Sequence, residues 1–132
     1  MNTKEFVKDG FKSKNCAQII MSYFFDDESL LALSKGYGGG FGVAGLCGSY
    51  AASIGVLGLK FKDKDEFDKK VAEFKDEFIS KFRNFDCKEI LEADYTTKDG
   101  LEKITKHKLF ETTCVDLTAY CIEILEDLIK RG

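Results

Sequence analysis

The chain has 132 residues, 44% of them apolar and 33% charged, with a net charge of −3 at neutral pH. That balance excludes a disordered chain, and the intermixed lysines and acids leave no basic face for counterion-driven nucleic-acid binding. No apolar run approaches the roughly 20 residues of a membrane span, and the N-terminus lacks the apolar core of a secretory signal, so a cytoplasmic chain is expected.

The length suits one domain over residues 1–132. There is no proline, which favours long uninterrupted helices, and twelve phenylalanines with no tryptophan imply a core filled by phenyl rings. Thr3 to Phe11 reads as a short helix with Phe6 and Val7 on its apolar side. Asn15 is placed to cap a second helix reaching Phe25, with Cys16, Ile19, Ile20, Tyr23 and Phe24 at helical spacing. Asp27 is placed to cap a third, stopped at Gly36. Cys47 to Leu59 is small and apolar on nearly every side, which predicts a helix buried on most faces, although each glycine inside it costs about 1 kcal/mol against alanine. A strand is the competing reading, but nothing nearby alternates with period two. From Asp63 to Phe85, Phe67, Val71, Phe74, Phe78, Phe82 and Phe85 recur every three or four residues and mark a long amphipathic helix. Asp86 is placed to cap a short helix, Tyr95 to Gly100 reads as a flexible connection, and a charged segment follows around Lys103 to Lys108. A last helix runs from about Thr112 to Arg131, with Cys114, Leu117, Cys121, Ile124 or Leu125, and Leu128 on its buried stripe. The fold class is all-α: an irregular bundle of about five to seven helices, with a glycine-rich loop preceding a buried helix.

Seven of the twelve glycines lie between Gly36 and Gly48. Gly38, Gly39, Gly40, Gly42 and Gly48 form a loop whose successive N–H groups can shape an anion-binding concavity. Cys47 sits where the loop meets a helix start, so unpaired N–H groups and the helix dipole should favour its thiolate. Gly40 to Gly45 also matches G-x-G-x-x-G, but a helix rather than a strand precedes it and no βαβ unit surrounds it, so the match reads as chance.

Free cysteine is often buried as a small hydrophobe, and Cys121 fits that role best, on the stripe of the last helix. Cys16, Cys47, Cys87 and Cys114 are separated by 30, 39 and 26 residues, without the close ligand pair usual in zinc and ferredoxin-type sites. Such residues can still converge from separate helices, and a disulfide asks only that Cα atoms come within about 7 Å. Thiol chemistry is therefore favoured over metal. His107, the one histidine, lies between lysines and reads as a surface residue, which excludes a serine–histidine–acid site. Asp26-Asp27 reads as a helix cap, and Glu123, Glu126 and Asp127 as a solvated face.

The order of these features resembles the C_GCAxxG_C_C family of small bacterial and archaeal redox-active proteins, over nearly the whole chain. The first family cysteine matches Asn15-Cys16-Ala17-Gln18, and the glycine segment matches Tyr37 to Gly42. The second matches Cys47-Gly48 with the small-residue helix ending in Val56 to Lys60, the third Cys87 after the phenylalanine-rich helix, and the fourth Cys114. Ser49 stands where the family has alanine, Ala52 where it has glycine, and Cys121 lies outside its four cysteines.

The leading expectation is a cytoplasmic thiol redox protein. Cys47 is its attacking thiolate, one of Cys16, Cys87 or Cys114 resolves the intermediate, and no cofactor is required. The alternative is a metal or iron–sulfur module holding zinc or an iron–sulfur cluster on Cys16, Cys47, Cys87 and Cys114. A third reading is a non-catalytic helical interaction domain in which the cysteines only pack. The redox partner is not specified by the sequence, and the phenylalanine-rich helix offers a face for a homodimer.

Overall fold

In the computed structural model, which describes residues 1–132, the chain forms eight α-helices and no strand. They are α1 (Thr3–Gly10), α2 (Cys16–Phe24), α3 (Glu28–Leu33), α4 (Gly48–Lys60), α5 (Lys64–Phe82), α6 (Cys87–Leu91), α7 (Lys98–His107) and α8 (Thr113–Arg131). A 3₁₀ turn at Ser34–Gly36 and a wide turn at Gly40–Ala44 connect α3 to α4. No helix is long and apolar enough to cross a membrane.

Side-chain caps set several of these starts. Asn15 Oδ1 accepts the Gln18 N–H at 2.8 Å while Gln18 Oε1 accepts the Asn15 N–H at 3.1 Å, a complete capping box. The Asn15 amide also donates to the Lys35 carbonyl at 2.9 Å, which ties the start of α2 to the turn leading into the glycine loop. Asp27 and Asp63 cap α3 and α5 in the same way, by accepting from Ser29 and Glu66 N–H groups.

Helices α2, α4 and α8 pack on one another, α1 lies against α8 and α2, and α5 against α4 and α8. Gly48, Ser49, Ala52 and Ser53 on α4 are buried and small, which lets α2 and α8 approach it closely. On α5, Phe74 and Phe78 are fully buried, and Phe78 stacks parallel to Phe85 at 5.8 Å and meets Tyr50 edge-on at 5.1 Å. The phenylalanine stripe is thus taken up by the chain's own core.

Three features differ from the expected elements. The bundle has eight helices rather than five to seven, because the end of the Tyr95 to Gly100 connection and the charged segment after it form α7. Thr97 caps α7 through the Gly100 N–H at 3.0 Å. Ile104 is the only buried residue of α7, and its apolar face rests on Leu101 and Ile104 among charged neighbours, a pattern the sequence reading passed over. Helix α5 stops at Phe82, where Arg83 turns left-handed at φ 68° and Asn84 accepts the N–H groups of Phe85 and Asp86. Phe85 therefore lies outside the helix, and the Asp86 side chain makes no cap bond to α6.

That turn positions the site. Phe85 to Cys87 runs antiparallel to Gly45 to Cys47, with Leu46 opposite Asp86. The Cys47 N–H donates to Phe85 O at 2.8 Å and the Cys87 N–H to Gly45 O at 2.6 Å. This isolated bridge joins the glycine loop to the start of α6.

Candidate functional site

Cys16, Cys47, Cys87 and Cys114 all line one cavity of about 400 Å³. Each comes from a different place: the first residue of α2, the residue before α4, the first residue of α6 and the first turn of α8. Cys47 and Cys87 are buried, Cys16 and Cys114 half-buried. Cys121 is fully buried away from the cavity, in the main core, as expected of a packing residue. His107 is exposed on α7, also as expected. No three of the histidine, cysteine, aspartate and glutamate side chains stand close enough together to hold one metal ion.

Gly38, Gly39, Gly40 and Gly48 line the cavity, whereas Gly42 does not. None of the four has free room for a Cβ, and at two of them the obstacle is backbone. A Cβ on Gly48 would fall 2.5 Å from Tyr37 O and 3.1 Å from Cys16 Sγ. Gly40 has φ +65°, and a Cβ there would fall 2.5 Å from Gly45 N and 2.9 Å from Cys87 Cβ. The glycines thus let backbone approach two of the four cysteines. No strand precedes the loop, so the G-x-G-x-x-G match is not a dinucleotide fingerprint.

The electrostatics revise the expected role of Cys47. The N–H groups of Tyr50 and Ser49, at the start of α4, do favour its thiolate, but burial outweighs them and a Cys16 charge adds to the penalty. Its pKa is pushed up from 9.0 to about 12. Burial, then Cys16, Asp94 and Asp86, push Cys87 up to about 11. Cys114 is raised by burial and then by Cys16, Cys87 and Cys47. Cys16 is also raised by burial, but four groups oppose this: the Ser49 hydroxyl and the N–H groups of Ala17, Ser49 and Cys16 itself. Repulsion between thiolates is mutual, so what distinguishes the four is their donors: Cys16 faces four groups that favour its charge, Cys47 two, and Cys87 and Cys114 none. Cys16 is therefore the sulfur whose thiolate the site supports best. A residue between two helix starts collects N–H groups from both, which the sequence does not reveal because α4 lies 32 residues downstream.

Cys16 and Cys47 face the same Ser49 N–H. Cys47 and Cys87 are diagonal neighbours across the Leu46–Asp86 bridge, an arrangement typically about 7–8 Å across, with Cβ atoms somewhat closer. Cys87 packs with Leu91 and Ile104 in a small second cluster, and Cys114 lies against it.

Three polar residues at the site were not singled out by the sequence reading. Ser49 Oγ lies 3.0 Å from Thr118 Oγ1, and Thr118 Oγ1 donates to Cys114 O at 2.7 Å. A threonine hydroxyl has one hydrogen, so with that bond made Ser49 is the donor to Thr118. The Ser49 hydroxyl also reaches Cys16, whose charge it favours. Two hydroxyls thus connect Cys16 to the first turn of α8. Tyr95 Oη donates to Gly39 O at 2.6 Å and holds the loop over the cavity. Only Ser49 left a trace in sequence, as a hydroxyl beside the second cysteine in an otherwise small and apolar segment.

A family model described as "Putative redox-active protein (C_GCAxxG_C_C)" matches residues 14–128, a span that includes all the cysteines. No curated protein and no solved structure matches the chain.

Proposed function

The chain belongs to the C_GCAxxG_C_C family of redox-active proteins, and from that premise we propose that it performs thiol–disulfide exchange at the four-cysteine cavity. The observation that carries this reading is the convergence of four sulfurs, from four separate elements, on one cavity that excludes the fifth.

Cys16 is the attacking thiol, in place of Cys47. Its thiolate is favoured by the Ser49 hydroxyl and three N–H groups, and the residue lines the cavity. The substrate is a disulfide, R–S–S–R. Cys16 gives up its proton and attacks one sulfur, forming a Cys16–S–S–R bond as RS⁻ leaves and takes up a proton. Cys47 then loses its proton and attacks the Cys16 sulfur, forming the Cys16–Cys47 disulfide and releasing the second RS⁻, which is protonated in turn. Two thiols are oxidised by two electrons, one disulfide is reduced to two RSH, and no other reactant is needed. Cys47 is the resolving residue because it shares the Ser49 N–H with Cys16. Cys87 and Cys114, neighbours in the second cluster, form the remaining pair.

Oxidation of the reduced full-length protein, followed by digestion and mass spectrometry of the linked peptides, tests this. A Cys16–Cys47 link with Cys121 unmodified is the expected result. Absence of any intramolecular disulfide under excess oxidant would overturn it. So would one equivalent of zinc, or an iron–sulfur chromophore, on the four cysteines of anaerobically purified protein, which supports the metal centre instead.

A further inference from the structure

We infer that the cavity takes a small organic disulfide carrying no formal charge; this rests on the exchange reading above and names the class of its substrate. One third of the chain is charged, yet no lysine, arginine, histidine, aspartate or glutamate lines the cavity. Its wall beyond the four sulfurs is glycine backbone, a few hydroxyl and amide groups, and the apolar side chains of Phe11, Ile90, Leu91, Tyr95, Phe110 and Leu117.

The surface beside the cavity has the same character. Phe110 is 40% exposed and meets Tyr95 edge-on at 6.0 Å. A neighbouring surface depression shares Phe11 and Phe110 with the cavity, so two phenyl rings stand between them. The ionic groups of that depression, on Lys8 and Glu111, stay outside. Moving a carboxylate or ammonium into such surroundings without a partner costs several kcal/mol. Asp86 and Asp94 act on Cys87 from beyond the wall and add repulsion against anions. A volume of about 400 Å³ lies at the lower end for ligand cavities, which suits a compact molecule and not a folded partner.

Three disulfides of similar size and different charge separate the alternatives: bis(2-hydroxyethyl) disulfide, uncharged; cystamine, a dication; and 3,3′-dithiodipropionate, a dianion. Each rate of oxidation of the reduced protein is divided by that disulfide's rate with a simple thiol in solution. The expected ratio is highest for the uncharged compound, by about tenfold or more over either charged one, with the dianion slowest. A Thr113→Lys variant, which brings a cation to the wall, raises the dianion's rate relative to the uncharged compound. If a charged disulfide matches or exceeds the uncharged one, or a protein-borne disulfide outruns all three, the substrate class is wrong. The exchange reading survives that result as long as Cys16–Cys47 still forms. If none of these disulfides oxidises the protein, both fall together.

Discussion

Replacing Ser49 by alanine is the sharpest probe of how the site makes a thiolate. In the protonated site the Ser49 hydroxyl donates to Thr118, 3.0 Å away, and it also reaches Cys16, whose charge it favours. Alanine removes that donor and leaves the N–H groups in place. A hydrogen bond to a charged group contributes about 1.5–3 kcal/mol, and each 1.4 kcal/mol is tenfold. The Cys16 thiolate population at neutral pH should therefore fall about tenfold or more. Stability should change by only about 0.5–1.5 kcal/mol, because Thr118 keeps its bond to Cys114 O and nothing is orphaned. The assay is the rate of Cys16 alkylation in the native protein as a function of pH, read peptide by peptide by mass spectrometry. Cys47 is the internal reference, since the Ser49 N–H it faces survives the substitution. An unchanged Cys16 rate, or a wild-type protein in which Cys47 is alkylated before Cys16, would refute the assignment of Cys16 as the best-supported thiolate.

Two further outcomes are expected. Alkaline pH should weaken the fold: a thiol with a raised folded pKa holds its proton more tightly when folded, so for Cys47 stability is intact below pH 9 and is lost as the pH rises toward about 12. The slope reaches about 1.4 kcal/mol per pH unit, and urea midpoints between pH 8 and 10.5 should fall less steeply in Cys47→Ala; equal slopes contradict the assignment. Gly48→Ala and Gly58→Ala, both on α4, should move stability in opposite directions. The Gly58 Cβ would meet nothing nearer than 3.6 Å, so alanine gains up to about 1 kcal/mol of helix propensity, whereas the Gly48 Cβ would strike the Tyr37 carbonyl and cost about 1–3 kcal/mol, shifts read directly from denaturation midpoints.

The main helices were legible because their signals are local. Asn15 and Asp27 cap helices as read, α5 starts where the periodic stretch from Asp63 was read, and the stripes of α5 and α8 face the core. Helix α7 was passed over, its apolar face being only Leu101 and Ile104 among charged neighbours, and the end of α5 escaped because Arg83 carries no mark of its left-handed turn. The four cavity cysteines were picked out together and the fifth set apart. Which sulfur the site best supports as a thiolate was not legible. It depends on how deeply each sulfur is desolvated and on which N–H groups face it, and both follow from α2, α4 and α8 meeting at Ser49 and Thr118.

On the proposed exchange, the Leu46–Asp86 bridge bears on which cysteines can pair. It fastens the segments that carry Cys47 and Cys87 as diagonal neighbours, an arrangement typically about 7–8 Å across and somewhat less between Cβ atoms, whereas a disulfide needs about 3.5–4.5 Å between Cβ atoms. Joining these two residues means breaking the bonds from Cys47 N–H to Phe85 O and from Cys87 N–H to Gly45 O, at about 1 kcal/mol each. It also disturbs Gly40, whose left-handed backbone is packed against Gly45 and Cys87. Cys16 meets neither obstacle, because it approaches Cys47 from α2, across the start of α4, where no bridge holds them apart. On the proposed exchange, the contact that fastens Cys47 beside Cys87 thus disfavours their pairing and makes Cys16 the expected partner of Cys47.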